Sequence, residues 1–440
     1  GRIEIYVTPT TNFNNGIMIT ITRTNPLNYV RNMRVIRPGF EALQNRLIFH
    51  PLFLSKVQPY STFRFMDWGV TNSQTNKEWT DRTPDTARTF TTNGASFETM
   101  IRLCNTLGKN MWVNVPHLAS NNFTTNLAQL ILSQLRPDLK VYVEYSNEVW
   151  GTLFPSGQYA QREGFNTGLS TDPTQARFCY LGAATKNISV IFKSVFSSNP
   201  SRVTVVISTQ AVNADTTRRI LACKDAYKSV DAVAIAPYFA PSISSTTTMD
   251  QLFTTLIPAQ IASINATIKQ HYQYAAQRGI KLLCYESGQG MVGWLSVQSS
   301  AQKDHRMADA YVSYLGMLFN NGVMLANLFT DVGRDSGYGS WGLFEYTNLN
   351  WHASQKWLGV AAYLAAKSTP AQNLTLAACS NNCSGAGICH YGQCFCYADY
   401  QGANCELPSF TDFIECGYKC SFHGTCLQSY RSGVNRYFSC

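Results

Sequence analysis

Cysteine is distributed very unevenly along this chain of 440 residues. Ten of its fourteen cysteines fall in the last 62 residues, from Cys379 to Cys440. A module as short as residues 379–405 cannot bury enough apolar surface to fold alone, so disulfide bonds must replace the missing core. Disulfide bonds persist in oxidising compartments. The distribution therefore predicts an extracellular protein with a large domain followed by small disulfide-stapled modules.

The first six of these cysteines have the spacing C-x3-C-x5-C-x4-C-x-C-x8-C, with glycines where tight turns are needed. Six cysteines allow 15 pairings on the sequence alone. A zinc cluster is a much weaker interpretation because the C-x-C spacing does not suit one. The pattern resembles an EGF-like module. That resemblance implies bonds between Cys379 and Cys389, Cys383 and Cys394, and Cys396 and Cys405.

Residues 406–440 repeat the opening of this pattern and are interpreted as the start of a second, truncated EGF-like module. Cys416, Cys420 and Cys426 repeat its C-x3-C-x5-C spacing, and Cys440 takes the fourth place. The module order implies bonds from Cys416 to Cys426 and from Cys420 to Cys440. Because the fifth and sixth cysteines are missing, we expect the natural polypeptide to continue through further repeats.

The four other cysteines, and the charges, say less about function. Whether any of Cys104, Cys179, Cys223 and Cys284 form a bond is left open by their spacing. Charged residues make up only 14% of the chain, and the net charge of +9 is not gathered into a Lys/Arg run. We therefore expect no nucleic-acid partner, and the lack of a stretch of about 18 apolar residues predicts no membrane span. No metal and no cofactor are expected.

An uncharged polar surface suits a secreted glycoprotein, and four glycosylation sequons agree with it. Sequons also arise by chance, so they only support this interpretation. The candidate sites are Asn122, Asn187, Asn265 and Asn373.

From about residue 60 to 368, short apolar strands alternate with segments of helical periodicity, which is the pattern of parallel β/α units. Seven strands are predicted, at Phe63–Trp68, Met111–Pro116, Val141–Ser146, Arg202–Ile207, Ala232–Pro237, Lys281–Tyr285 and Met324–Phe329. An eighth is placed at Met33–Ile36. The size and rhythm predict an α/β fold, a (β/α)8 TIM-type barrel over residues 51–370, with its active site at the carboxyl ends of the strands.

Residues 1–50 form a separate prediction. Alternating strands at Ile3–Val7 and Met18–Thr22 flank Asn14-Asn15-Gly16, a hairpin signal. We interpret this segment as the end of a β-sandwich with a linker to the barrel, since two strands alone are marginally stable.

Two glutamates follow predicted strands, at the places where a barrel collects its chemistry. Glu148 follows Asn147 after the strand at Val141, and Glu286 ends the strand at Lys281. They are 138 positions apart, yet a barrel can bring both to one rim. Retaining glycoside hydrolysis needs two carboxylates about 5 to 5.5 Å apart, one to protonate the leaving oxygen and one to attack the anomeric carbon. Glu144, on the same strand face as Glu148, is interpreted as a buried, paired group.

In these positions the sequence resembles the clan A retaining glycoside hydrolases, whose acid/base glutamate follows an asparagine and whose nucleophilic glutamate ends a later strand. The resemblance implies Glu148 as acid/base and Glu286 as nucleophile. The other matching residues are Arg64, His117, Asn147, Tyr238 and Trp341. It implies that Arg64 and Tyr238 keep the nucleophile ionised, Asn147 binds the sugar 2-hydroxyl, His117 lines the pocket and Trp341 stacks on a sugar face.

Each of these residues alone is weak evidence, because a lone histidine or a strand tryptophan is more often structural than catalytic. Their order along the chain carries the resemblance. Two functions stay open, because a barrel can outlive its catalytic use. We favour a structural subunit of an extracellular filament that associates with copies of itself or related subunits. Its architecture resembles flagellar-hair (mastigoneme) glycoproteins. The alternative is a secreted retaining β-glycoside hydrolase acting on glycans; a protein that only binds sugars is a third interpretation.

Overall fold

In a computed structural model, the chain is described at residues 20–31, 48–87, 89–90, 92–347 and 349–367, and then at 384, 387–390, 393–396, 400–408, 427–429 and 437–439. It divides into two compact units. One is Phe49–Ala377, and the other combines Gly1–Ile48 with Ala378–Cys440.

The larger unit contains a parallel β-sheet whose strands follow one another in chain order. Among the described residues these strands are β1 Thr62–Arg64, β2 Asn110–Val115, β3 Val141–Tyr145, β4 Val203–Ser208, β5 Ala232–Ile235, β6 Lys281–Cys284 and β7 Val323–Ala326. Each strand pairs in parallel with the next, as in Val113 opposite Val143. The carboxyl ends of all these strands therefore lie on the same edge of the sheet.

Helices supply the crossovers that parallel strands require. They are α1 Pro51–Val57, α2 Phe97–Leu107, α3 Asn121–Gln134, α4 Pro155–Asn166, α5 Pro173–Val195, α6 Ala214–Ala222, α7 Met249–Gln251, α8 Ile257–Ala276, α9 Leu295–Lys303, α10 Arg306–Asn320 and α11 Gln355–Lys367. A π-helical segment, Leu252–Leu256, joins α7 to α8. Between α6 and β5 lies a 3₁₀ segment, Cys223–Ser229.

The helix ends follow local sequence signals. The Ser96 hydroxyl accepts a hydrogen bond from the Thr99 amide at the start of α2, and Ser120 does the same for Phe123 at the start of α3. Such caps satisfy amides that the first helical turn leaves without partners. Helix α2 ends at Gly108, which has a φ of 66° that glycine adopts without steric cost. These signals are readable in the sequence, which is why the helices were predictable.

The sheet curls so that distant strands share one interior. Trp112 of β2 packs in one buried cluster with Leu283 of β6 and Tyr285, although three strands separate β2 from β6 in the sheet. The guanidinium carbon of Arg64, at the end of β1, lies 5.0 Å from the centre of the Tyr285 ring. The predicted α/β class with a (β/α)8-like architecture is therefore confirmed.

The seven predicted strands are all present, with small shifts at their ends. The largest shift is at the first one, predicted to reach Trp68, because β1 ends at Arg64. The last one, predicted to reach Phe329, ends as β7 at Ala326. Beyond it the chain follows the loop after β6 instead, because the Phe329 amide donates to the Ser287 carbonyl at 3.0 Å. The predicted strand at Met33–Ile36 lies outside the described residues.

One disulfide bond crosses the helical layer. Cys179 of α5 is bonded to Cys223, the residue after α6, and 44 positions separate them. Cys104 and Cys284 are free thiols, both buried. The sequence had left all four open. Within the described part of the chain, no helix combines the length and apolar character needed to cross a membrane.

The smaller unit is described only in parts. Short antiparallel pairs form between β8 Gly387–His390 and β9 Gln393–Cys396, between β10 Tyr400–Gln401 and β11 Leu407–Pro408, and between β12 Leu427–Ser429 and β13 Tyr437–Ser439. Cys405 is disulfide-bonded. The EGF-like pairings stay predictions. The predicted strand at Ile3–Val7 and the hairpin turn after it lie outside the described residues.

Candidate active site

Glu148 and Glu286 lie just beyond the carboxyl ends of two strands of the same sheet. Glu148 follows β3 and Glu286 follows β6. Parallel pairing places these strand ends on one edge, and the curl of the sheet turns them toward each other. They are close enough for the charge of Glu286 to raise the pKa of Glu148.

The segment that carries Glu148 turns sharply as it leaves β3. Ser146 has a φ of 52° and Glu148 a φ of 50°, and both values are uncommon for residues other than glycine. Such backbone conformations persist only where the surroundings hold them, and they cluster at functional sites. Here the buried Asn147 lies between them, with its side chain fixed at both ends of the amide.

Arg64, at the end of β1, joins three of the polar groups at this edge. Its Nη1 donates to Glu286 Oε1 at 2.7 Å, its Nη2 to Asn147 Oδ1 at 2.7 Å and to Glu144 Oε2 at 2.9 Å, and its Nε to Glu144 Oε2 at 3.1 Å. The Arg64 side chain is only 5% exposed. A buried guanidinium paired with two carboxylates is fixed in position and stays charged.

Glu286 accepts a hydrogen bond on each of its carboxylate oxygens. Arg64 donates to one, and the Tyr238 hydroxyl donates to the other at 2.8 Å. The two bonds engage both oxygens and fix the plane of the group. Glu286 is therefore held in one orientation at the edge of the sheet.

The surroundings of Glu148 favour its protonated form. Burial, and then the nearby charge of Glu286, raise its pKa to about 7, while a hydrogen bond from Tyr285 acts to lower it. The Tyr285 hydroxyl donates to Glu148 Oε1 at 2.8 Å and itself accepts from Trp150 Nε1 at 3.2 Å. At neutral pH this carboxyl group exchanges readily between its acid and its base forms, which suits general acid/base catalysis.

Glu144 is a third carboxylate, and it lies deeper than the other two. Its Oε2 accepts from Trp112 Nε1 and Asn114 Nδ2, each at 2.9 Å, as well as from Arg64. Burial raises its pKa. Its interpretation as a buried, paired group is confirmed. By holding Arg64, it supports Glu286 from below without facing the rim itself.

Asn147 is held by hydrogen bonds on both sides of its amide. Its Oδ1 accepts from Arg64, and its Nδ2 donates to Asn72 Oδ1 at 3.0 Å. This arrangement fixes which end of the amide faces which neighbour. The role of Asn147 in binding a sugar hydroxyl, implied by the resemblance, stays a prediction.

Trp341 lies on the loop that follows β7 and packs against Tyr238. Its ring centre is 5.1 Å from that of Tyr238, which bonds to Glu286, and 5.8 Å from that of Phe329. A Cβ atom added at Gly290 would lie 3.0 Å from Tyr238 Cβ and 3.3 Å from Trp341 Cζ3. The glycine thus permits the two rings to sit close over the loop after β6.

The backbone on either side of Trp341 is fixed by a buried lysine. The Lys356 ammonium group, from α11, donates to the carbonyl of Ser340 and, at 2.9 Å, to that of Gly342. Burial lowers the pKa of Lys356 to about 7, against the charges of Asp335 and Glu345, which raise it. The position of the Trp341 ring therefore depends on a residue from the last helix.

His117 is not joined to the two glutamates by any hydrogen bond or ion pair within the described residues. It follows β2 and lines a separate cavity of about 340 Å³ with Tyr145, Tyr159 and Tyr180. Its ring centre is 5.5 Å from that of Tyr159. Burial and the charge of Arg162 lower its pKa. Its predicted role in the catalytic pocket stays a prediction.

The predicted glycosylation sites differ in exposure. Asn122 and Asn187 are exposed, whereas Asn265 is partly buried and its Oδ1 accepts from Asn321 at 2.9 Å. Asn373 lies outside the described residues. Among the residues that the structure describes, no cluster of three or more His, Cys, Asp or Glu side chains has an arrangement that would hold a metal ion.

Three supporting residues were missed by the sequence analysis: Tyr285, Asn72 and Lys356. Tyr285 ends a predicted strand, next to Glu286, and no neighbouring residue in the sequence indicates its hydrogen bond to Glu148. The hydrogen-bond partner of Asn72 lies 75 positions away in the sequence, and the two partners of Lys356 lie 14 and 16 positions away. Lys356 gives the clearest signal in the sequence, because a lysine among the apolar positions of a helix indicates a buried amine that needs hydrogen-bond partners.

The fold and this site define a parallel α/β barrel-type protein with a paired-carboxylate centre at its strand ends. No protein-family model matches this chain, and no curated protein matches it either. Solved structures with a similar fold include a 4-O-alpha-L-rhamnosyl-beta-D-glucuronidase from Fusarium oxysporum (14% identity, TM-score 0.44), for which the match covers 74% of this chain and 66% of that one.

Two further structures share the fold at the same level. One is a xyloglucan-specific endo-beta-1,4-glucanase of family GH5 from a metagenomic library, with 12% identity, a TM-score of 0.43 and coverage of 73% and 90% of the two chains. The other is a beta-glucosidase from Thermotoga maritima, with 9% identity, a TM-score of 0.42 and coverage of 72% and 85%. At this level of similarity, function has to be argued from the chain's own residues.

Proposed function

We propose that this protein is a retaining glycoside hydrolase in which Glu286 is the nucleophile and Glu148 the acid/base. The observation that supports the proposal is that two neighbouring carboxyl groups have different surroundings. Arg64 and Tyr238 donate to Glu286, whereas burial and the charge of Glu286 raise the pKa of Glu148 to about 7. Two titratable groups whose environments differ in this way fit a division into nucleophile and proton donor.

In the first step, Glu286 attacks the anomeric carbon while the bond from that carbon to the leaving oxygen breaks. Glu148 gives its proton to the leaving oxygen and becomes an anion. In the second step, Glu148 removes a proton from a water molecule, and the resulting hydroxide displaces Glu286 from the sugar. Two inversions restore the original configuration, and both carboxyl groups return to their starting states.

The surrounding residues fit these steps. The Tyr285 hydroxyl can stabilise Glu148 when it becomes an anion, because it already donates to Oε1. Trp341 offers an aromatic face beside the nucleophile, on which a sugar ring can stack. Both roles are part of the proposal.

Azide rescue separates the two glutamates. On an activated aryl β-glycoside, Glu286→Ala should lose turnover by several orders of magnitude, and added azide should restore it with formation of the α-glycosyl azide. Glu148→Ala should instead give the β-glycosyl azide, because Glu286 still forms the intermediate. Glu163→Ala, which removes a glutamate of α4, is the matched control and should keep wild-type activity. Full activity of Glu286→Ala without azide would exclude Glu286 as nucleophile.

The role of a filament subunit remains a second proposal, and it is supported by the sequence of residues 379–440. The cysteine spacing there resembles EGF-like modules, and Cys405 is disulfide-bonded. The Cys179–Cys223 bond also supports an extracellular location, since such bonds persist in oxidising compartments. Negative-stain microscopy of the native protein should show regular filaments. Monodisperse single particles would contradict this second proposal.

A further inference from the structure

Two large aromatic side chains are exposed on neighbouring loops of the larger unit. Trp294 is 53% exposed and Tyr338 is 90% exposed. The loops touch, since the Gly293 amide donates to the Gly337 carbonyl at 3.4 Å. Burying large aromatic side chains stabilises a protein, so leaving two exposed on touching loops forgoes that gain. Scattered single rings need no explanation, but two on loops that contact each other do.

Both loops belong to the active site. The loop with Trp294 begins at Glu286, and the loop with Tyr338 leads directly into Trp341. The indole Nε1 of Trp341 donates to the carbonyl of Tyr338 at 3.0 Å. The Trp341 ring in turn packs against Tyr238, whose hydroxyl bonds to Glu286. The loop that carries Tyr338 is therefore connected to Glu286 through a short series of direct contacts.

One side chain fixes the two loops to each other. Gln298 of α9 donates through Nε2 to the carbonyl of Gly293, and its Oε1 accepts from the Ser340 hydroxyl at 3.0 Å. Trp294 itself has a φ of 30°, a left-handed backbone conformation that is costly for a residue with a side chain. The exposed indole is thus held outward by a buried hydrogen-bond arrangement and a strained backbone.

We propose that Trp294 and Tyr338 form a platform, here called the rim platform, that stacks on sugar rings beyond the one being cleaved. Rings of this type offer a large, rigid and partly polar contact surface. Val292 on the same loop and Leu295 at the start of α9, both exposed, add apolar surface next to Trp294 in the sequence. The substrate class is therefore an oligosaccharide or polysaccharide chain rather than a small glycoside. This inference rests on the proposed hydrolase function, which it deepens.

The test compares short and long substrates. Trp294→Ala and Tyr338→Ala should lower kcat/KM about 10-fold on a β-1,4-linked hexasaccharide (cellohexaose, xylohexaose or mannohexaose), mainly through KM. Activity on the matching 4-nitrophenyl β-glycoside should stay within about two-fold of wild type, since that substrate ends at the catalytic ring. Phe165→Ala removes an exposed ring at the end of α4 and is the matched control. Equal losses on both substrates, or no loss on the hexasaccharide, would overturn the proposal.

Affinity electrophoresis in gels containing hydroxyethylcellulose, xylan or glucomannan gives a readout that does not need turnover. Glu286→Gln should be retarded in at least one gel, and adding Trp294→Ala should abolish the retardation. If wild type hydrolyses nothing but is still retarded through Trp294, the hydrolase proposal fails while the rim platform stands. If the protein shows neither hydrolysis nor retardation, the rim platform is rejected as well.

Discussion

Glu148 and Glu286 lie at the same edge of the sheet, yet their side chains have different hydrogen-bond partners. Glu286 receives donors on both oxygens, whereas Glu148 accepts from Tyr285 and has its pKa raised by burial and by the charge of Glu286. Desolvation disfavours the anion, while hydrogen bonds to the anion favour it. The balance raises the pKa of Glu148 to about 7, so in the proposed hydrolase small changes around this group should appear directly in the pH dependence of activity.

Tyr285→Phe tests this balance. The acid must be protonated for the first step, so kcat/KM of the wild type should fall as the pH rises through about 7. Removing a hydrogen bond that stabilises the Glu148 anion raises its pKa, so the alkaline limb should move upward by about 0.5–1 pH unit. The measurement is a pH profile of kcat/KM on an aryl β-glycoside.

Tyr311→Phe is the matched control for this substitution. Tyr311 is equally buried, but its hydroxyl accepts from the Gln289 backbone amide and does not touch Glu148. Its alkaline limb should coincide with that of the wild type. A downward shift in Tyr285→Phe, or the same shift in both variants, would contradict the role assigned to Tyr285.

The sequence predicts best those site residues whose positions follow from the pattern of strands. Glu148 and Glu286 were selected because each follows a predicted strand, and Arg64 and Tyr238 because they match the resemblance. The structure joins these residues by hydrogen bonds or by the effect of one charge on another. Tyr285 was missed because its partner lies 137 positions away. A contact of that kind depends on the curl of the sheet, which no local pattern encodes.

At the scale of elements, the loop after β7 depends on α11. Lys356 reaches the two carbonyl groups that flank Trp341, and burial lowers the pKa of its ammonium group to about 7. The strand itself was predicted, but its end was placed three residues too late. The apolar run continues to Phe329 in the sequence, whereas β7 ends at Ala326 and the Phe329 amide donates to the Ser287 carbonyl in the loop after β6.

Lys356→Met should change the pH dependence of stability. Because its pKa is lower in the folded protein than in the unfolded chain, Lys356 destabilises the fold below about pH 7, where the buried amine must carry charge. That penalty disappears as the pH rises toward the ordinary value of 10.5. The free energy of unfolding of wild type relative to Lys356→Met should therefore increase from about pH 7 to about pH 10 in urea titrations.

A control variant and a second measurement accompany this experiment. Lys303→Met removes an exposed lysine of α9 and should leave the pH dependence unchanged. The Lys356→Met variant should also alter the fluorescence of Trp341, because the carbonyls on both sides of this residue lose their donor. A wild-type stability advantage that shrinks with rising pH would contradict the assigned effect of burial.

At the scale of the whole molecule, the curled sheet is what turns scattered sequence signals into one site. The order of strands and helices was readable because parallel units repeat a simple alternation. The Cys179–Cys223 bond was not readable, since neither cysteine lies in a recognisable spacing. It ties α5, the longest of the described helices, to the 3₁₀ segment that follows α6.

Removing this bond should destabilise the larger unit. The Cys179→Ser/Cys223→Ser double variant should lose about 2–4 kcal/mol of unfolding free energy, because the unfolded chain regains the freedom of a long loop. Urea denaturation of the double variant and the wild type gives the difference. Dithiothreitol should lower the stability of the wild type and add nothing in the variant at this site. Equal stability of the two proteins would show that the bond contributes nothing to the fold.

The crowded surroundings of Arg64 have a consequence for how such a barrel can diversify. Its guanidinium group has five N–H donors, and four hydrogen bonds to Glu144, Glu286 and Asn147 already engage it. If the proposed hydrolase function holds, little of this group is left to select among sugars, and discrimination falls to the loops around the rim. Those loops could then change for a new carbohydrate while the residues at the strand ends stay the same.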